Sequence, residues 1–194
     1  TFDFATDGPD YALRDTAPRQ LIVDENYHID YGGASNACIS CHQPRRSGPT
    51  DDGTGLFEIT SSHWGPHHGP QSTMLEGIQG MLLSGSSSYP AIGSGAHRTG
   101  STCTSCHMGD TTDGNDGDHS MITTSTACIT CHAGGAPLEV SGLAADLHEL
   151  ELLLESVVSQ DGTVVGIVHE GHPQTGIFTV TEAQAAWNYL YVME

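Results

Sequence analysis

The chain has 194 residues, of which 37% are hydrophobic, and its 24 acidic against five basic residues give a formal net charge of −19. So negative a surface repels nucleic acid and anionic lipid, and no apolar run reaches the ~20 residues of a membrane-spanning helix. The length predicts one structural unit, in which 24 glycines and nine prolines favour irregular loops over long regular elements.

Taken in chain order, the sequence begins with a polar, loop-like stretch of 36 residues. Thr73 and Glu76 match a capping box, and the apolar residues after them have helical spacing. They predict a helix over about 73–83 that Gly85 ends. Glycine-, serine- and threonine-rich loops follow as far as Pro137.

The composition changes after Pro137. An apolar and acidic stretch predicts a helix of about 20 residues, ended by Asp161 and Gly162. Two short β-branched strands around a Gly/Pro loop come next, and then a last helix capped by Thr181 and Gln184. We therefore expect two parts packed as one unit, residues 1–137 and residues 138–194.

All six cysteines lie in three copies of one pattern, C-x-x-C-H. The copies are Cys38, Cys41 and His42; Cys103, Cys106 and His107; Cys128, Cys131 and His132. A zinc site does not require a histidine directly after the second cysteine. Haem attachment does, because the two thiols add to the two vinyl groups and the next imidazole binds the iron. The pattern predicts three covalent haem c groups in the first part, with no cysteine left for a disulfide framework.

Covalent haem attachment takes place outside the cytoplasm, and the chain starts at Thr1, as a processed protein would. We therefore expect an exported protein, extracellular or at the cell surface rather than periplasmic. Its acidic surface suits positively charged redox partners, and it also serves solubility.

The remaining nine histidines are candidates for the distal side of the irons. A low-potential electron carrier needs one distal histidine for each haem, whereas methionine would raise the potential. Histidines stand shortly upstream of each attachment motif, which favours His97 and His119 and keeps His28 as a candidate. A third ligand is expected from the cluster of His63, His67 and His68. His148 is interpreted as a surface residue. His169 and His172 could bind a metal or an iron from a hairpin loop, but a solvated loop is the favoured interpretation.

The residues around these histidines resemble multihaem c-type cytochromes over most of residues 35–194. The resemblance rests on "HHGPQSTMLEG", on "AHRTGSTCTSCHM" and on "GDHSM" near the third motif. It implies a fold organised around stacked haems, mostly irregular with a few helices and little β-structure. It also favours His67 over His68, because the first histidine of that block usually carries the function.

Longer relatives have a further histidine after a helix similar to "AQAAWNYLYVME", where this chain ends at Glu194. Some extracellular relatives are polymers in which a neighbouring subunit supplies one haem ligand. This resemblance implies a conductive head-to-tail homopolymer, with His28 or a surplus histidine as the shared ligand. The alternative is a soluble periplasmic electron shuttle with internal ligands.

The residues give less support to two other functions, those of a reductase and of a calcium-binding protein. A multihaem reductase needs an open iron site and often has lysine in place of a motif histidine, but the chain has no lysine. We therefore expect an electron carrier, acting with other redox proteins or extracellular acceptors, rather than an enzyme. The stretch Asp110–His119 resembles a calcium loop in its Asp, Asn and Gly content, but it lacks the EF-hand spacing and closing glutamate.

Overall fold

The computed structural model describes residues 15–67, 69–109, 121–123, 125–137 and 140–193. These residues form seven helices and three two-stranded antiparallel sheets, joined by long irregular segments. The predicted mixture of much loop, a few helices and little β-structure is confirmed. The helices are α1 (Ser35–Ile39), α2 (Gln71–Glu76), α3 (Ala96–Gly100), α4 (Cys103–His107), α5 (Ser125–Ile129), α6 (Leu143–Ser156) and α7 (Val180–Met193). The strands are β1 (Arg19–Gln20), β2 (His28–Ile29), β3 (Leu56–Ile59), β4 (Val168–His169), β5 (His172–Pro173) and β6 (Gly176–Thr179).

The two longest described helices, α6 and α7, have 14 residues each. Helix α6 is shorter than the sequence predicted, because Val157 adopts an extended conformation and Val158 forms a β-bridge with Val165. β-Branched side chains pack well on an extended backbone, which explains the early end. Among the described residues, no helix has both the length and the apolar character needed to cross a membrane.

Helix α2 also differs from its prediction. It ends at Gly77 rather than at Gly85. Gly77 adopts the left-handed conformation, with φ +78°, which terminates the helix. The predicted capping box does not form, since the Thr73 hydroxyl is buried, donates to the Pro70 carbonyl and meets the Tyr191 hydroxyl. Burial next to Tyr191 competes successfully with the local capping preference.

The main core lies where the C-terminal segment meets residues 48–81. Strand β6 pairs with β3 from Leu56–Thr179 to Ile59–Gly176, and α7 packs beside them. The largest fully buried side chains of this core include Trp187, Tyr189, Phe178, Ile59, Ile167 and Leu190. The predicted strands near the C-terminus therefore exist, but β6 pairs with a distant strand while β4 and β5 form their own hairpin.

A capping box starts α7 two residues earlier than predicted. The Glu182 amide donates to the Thr179 hydroxyl at 3.2 Å, and the Thr179 amide donates to the Glu182 carboxylate at 2.8 Å. Gln184 instead donates its side-chain amide to the Pro49 carbonyl at 3.1 Å. The strand β6 thus runs directly into the helix, and Gln184 attaches that helix to the loop after the first haem motif.

A smaller core packs behind the first motif. Leu21, Ile29, Tyr31 and Ile39 are buried there, with Leu75 and Ile78 against them. The first 36 residues are therefore not entirely loop-like, because β1 and β2 pair within them, Gln20 opposite His28. This cluster fixes α1, and so the first attachment motif, against α2.

Candidate haem centres

Each C-x-x-C-H copy forms one helical turn, named here the first (38–42), second (103–107) and third (128–132) attachment turn. In the first turn the His42 amide donates to the Cys38 carbonyl at 3.0 Å, and in the third the His132 amide donates to that of Cys128 at 2.8 Å. The second turn is helix α4 itself. Residues i, i+3 and i+4 of a helical turn share one face. Both thiols and the imidazole therefore project from the same side, as a covalently bound haem requires.

Two of the three motif histidines have an oxygen placed against Nδ1. His42 Nδ1 lies 2.9 Å from Gln71 Oε1, and His107 Nδ1 lies 2.8 Å from the Met121 carbonyl oxygen. A carbonyl oxygen only accepts, so Nδ1 carries the proton and Nε2 is left with its lone pair. This is the tautomer and orientation that a metal-ligating histidine needs.

Gly69 lies against the back of the first centre. A Cβ there would meet Gln71 Oε1 at 3.4 Å, the Cys41 carbonyl at 3.5 Å and His42 Nδ1 at 3.6 Å, and the residue has φ +103°. The adjoining chain is attached to the same turn, since the Ser72 amide donates to the His42 carbonyl at 2.9 Å. The segment that follows His67 therefore packs on the first attachment turn.

The first and second attachment turns are in direct contact. The Ser35 hydroxyl lies 2.9 Å from the Thr104 hydroxyl and accepts the Thr104 amide at 3.1 Å. Burial, together with the neighbouring Cys38 thiol, raises the pKa of Cys103 to about 11. One thiol of the first motif thus lies beside one thiol of the second.

The second and third attachment turns are neighbours as well. Helices α4 and α5 pack together, and a Cβ added to Gly109 would lie 3.2 Å from the Ala127 Cβ. The three turns therefore follow one another in space in the order in which they occur in the sequence. Sequence spacing alone does not determine this arrangement, because 61 positions separate His42 from Cys103.

The candidate distal histidines lie at different places around these turns. His97 lies on α3 with its ring centre 6.1 Å from that of His132, and the ring planes make an angle of 68°. His28 is an exposed residue of β2, and His63 and His67 are exposed in the irregular segment before α2. His68 and His119 lie outside the described residues, as does the calcium-like stretch Asp110–His119.

A charged cluster that was not predicted from the sequence holds α3. Arg98 Nε lies 2.5 Å from Glu76 Oε2, its Nη2 donates to the Asp30 carbonyl at 3.1 Å, and its guanidinium lies 4.7 Å from the centre of the Tyr31 ring. Tyr27 donates its hydroxyl to the other Glu76 oxygen at 3.1 Å, and burial together with Glu76 raises the pKa of Tyr27. The sequence did contain a signal for this cluster, because Arg98 is one of only five basic residues and directly follows the candidate ligand His97.

All six cysteines are described, and none forms a disulfide. The part of the chain that the structure describes contains no group of three or more His, Cys, Asp or Glu side chains placed to hold a metal ion.

Comparison with known proteins finds a polyhaem relative. Over 145 residues the chain is 32% identical to the protein described as C-type polyheme cytochrome OmcC of Geobacter sulfurreducens. The chain is a partial homologue of a polyhaem c-type cytochrome. The aligned region covers 63% of this chain and 18% of that protein, so the chain spans less than a fifth of the relative it matches. No family model matches the chain, and no solved structure does.

Proposed function

We propose that this protein is an electron carrier with three covalently attached haem c groups, each with two histidines as axial ligands. The observation that carries the proposal is the row of three adjacent attachment turns, each with two thiols and one imidazole on a shared face. Similarity to a polyhaem c-type cytochrome supports it. A haem supplies, when bound, an iron that gains or loses one electron.

The residues of the chain have separate parts in this proposal. The cysteines of each turn hold the haem by thioether bonds, and His42, His107 and His132 bind the irons on the proximal side. The distal candidates are His67, His97 and His119, with His28, His63 and His68 as further candidates. Nδ1 hydrogen bonds from His42 and His107 fix the imidazole rings, which reduces the rearrangement that accompanies a change of iron charge.

Electron transfer between the haems depends on their separation. The neighbouring Cys38 and Cys103 side chains support a short distance between the first and second haems. The packing of α4 on α5 supports a short distance between the second and third haems. Rigid, closely spaced attachment points are what a carrier requires, and an enzyme would need an open iron site as well.

Haem content and spin state test the carrier proposal. The isolated protein should contain three haems per chain, with every ferric iron low-spin in its electron paramagnetic resonance spectrum. Replacing both Cys103 and Cys106 with serine should leave two haems per chain. The matched control Ser105→Thr, on the same turn, keeps the hydroxyl of the helix cap and should keep three haems. Two results would contradict the proposal. One is a protein that binds zinc and whose thiols can still be alkylated, and the other is a persistent high-spin iron that turns over a small oxidised nitrogen compound.

The polymeric form of the proposal places the protein outside the cell as a conductive filament. In this form a neighbouring subunit supplies one distal ligand, and His28 is the candidate. Its exposure on β2, in the small sheet that packs on α1, supports the choice, because a ligand for another subunit must reach the surface. An acidic surface also suits cationic redox partners and acceptors outside the cell.

Electron microscopy of the haem-loaded protein at micromolar concentration tests this form. Filaments are expected from the wild-type protein, and discrete particles from His28→Ala. Gln20→Ala is the matched control, since Gln20 is opposite His28 in the sheet and is also exposed. Discrete wild-type particles would instead support the soluble shuttle, and intact His28→Ala filaments with every haem low-spin would remove His28 from the interface.

A further inference from the structure

We infer that His97 is the distal ligand of the third haem, on the opposite side of its iron from His132. The inference rests on the proposed function and deepens it, because it states which haem this histidine serves. It joins a residue that precedes the second attachment turn to the iron of the third.

The distance between the two imidazoles carries the inference. A ligating imidazole nitrogen lies about 2 Å from its metal and about 1.1 Å from the ring centre, so two axial rings have centres about 6.2 Å apart. The observed separation of the His97 and His132 ring centres is 6.1 Å. Two rings that share an axis through one iron can be rotated about it by any angle, so the 68° between the planes is compatible with this arrangement.

An edge-to-face contact between aromatic rings has a similar separation, and it is the competing explanation. Such contacts contribute most where both rings are buried. His97 and His132 are both exposed, and α3 and α5 contain no buried residue among those described. Burial therefore does not explain why the His97 and His132 rings lie together, whereas binding to one iron would explain it directly.

Contacts independent of His132 hold His97 in place. Arg98, the next residue, attaches α3 to α2 through Glu76 and to the residues directly after β2 through the Asp30 carbonyl and the Tyr31 ring. The Glu76 side chain is 10% exposed and that of Arg98 is 25% exposed, so this ion pair is partly shielded from water. Arg98 is thus a positioning residue for His97.

The same segment also connects the second and third haems. Directly after α3, the Ser101 hydroxyl lies 2.8 Å from that of Ser105 and 3.1 Å from Cys106 Sγ. Thr102 and Ser105 form a reciprocal capping box at the start of α4. One short, hydrogen-bonded segment would therefore carry the distal ligand of the third haem and both attachment sulfurs of the second, which keeps the distance between the two haems constant.

The test uses the haem-loaded full chain and reads spin state rather than activity. His97→Ala should convert one of the three irons to high-spin and leave two low-spin. His97→Met should keep a ligand and instead raise one of three reduction potentials. The surface variant His148→Ala, the matched control on α6, should change neither spectrum nor potentials. Arg98→Ala should give a smaller high-spin fraction, and Arg98→Lys should recover most of the low-spin signal.

A second background identifies the haem concerned. In a chain that lacks the third haem through Cys128→Ser and Cys131→Ser, His97→Ala should have no further effect on the remaining irons. Three low-spin haems in His97→Ala would show an edge contact only, and a new high-spin iron in the two-haem background would assign His97 to another haem. Either result overturns the inference and leaves the carrier proposal intact. A wild-type protein without three low-spin haems would overturn both.

Discussion

Replacing Trp187 with alanine is expected to lower the free energy of unfolding by about 3–5 kcal/mol. Trp187 is completely buried at the centre of α7, where its ring makes an edge contact with Trp64 at 5.7 Å and a tilted one with Tyr191 at 6.4 Å. The indole Nε1 donates to the Gln79 carbonyl at 3.0 Å. Alanine would leave a cavity beside Trp64 and Tyr191, and it would leave the Gln79 carbonyl without its hydrogen-bond donor.

Denaturant unfolding of the haem-loaded protein, followed by far-ultraviolet circular dichroism, measures this change. Met193→Ala is the matched control on the same helix, and because Met193 is 56% exposed it should change the free energy of unfolding by less than about 0.5 kcal/mol. An unfolding midpoint of Trp187→Ala equal to that of the control would show that this core does not stabilise the protein.

Replacing Asn36 with alanine is expected to cost about 2–4 kcal/mol, because the change leaves buried groups without partners. The side chain is 1% exposed, and its Oδ1 accepts the Tyr31 amide at 2.7 Å. Its Nδ2 donates to the Thr16 carbonyl at 2.9 Å and to Asp30 Oδ1 at 2.8 Å. These three bonds join the N-terminal segment and the residues directly after β2 to α1, two residues before the first attachment cysteine.

Thermal unfolding of the haem-loaded protein tests the Asn36 prediction. The matched control is Asn26→Ala, at an exposed turn where the backbone amide, not the side chain, bonds to Asp24. Asn36→Asp should also destabilise the protein, because a carboxylate keeps the acceptor for Tyr31 but places a second negative charge beside Asp30. A melting temperature of Asn36→Ala within experimental error of the Asn26 control would contradict the assigned role.

The predictions that need no knowledge of the fold are those in which the chemistry is local. A haem bound through two thiols and the next imidazole needs all three groups within five consecutive residues, so C-x-x-C-H alone predicts its attachment. The Gly/Pro loop between two short strands was predicted for a similar reason, and within it the structure adds a two-residue turn in which Glu170 and Gly171 both adopt positive φ.

The errors occurred where a distant partner outweighed a local preference. Thr73 and Glu76 match a capping box in the sequence, but Thr73 is buried against Tyr191 and Glu76 pairs with Arg98. The box at the start of α7 formed from Thr179 and Glu182, because pairing of β6 with β3 determines where the strand stops. Propensity acts over a few residues, while burial and charge pairing act over the whole chain.

By itself the sequence determined three C-x-x-C-H motifs, from which haem attachment is predicted, and a strongly acidic chain in which loops predominate. Only the tertiary structure decided that the three turns adjoin in order, that Gln71 lies behind His42, and that His97 faces His132. The reason is that haem attachment depends on the spacing of two cysteines and a histidine within five consecutive residues. The environment of each centre depends on which distant segments pack together, and burial of the two cores selects those contacts.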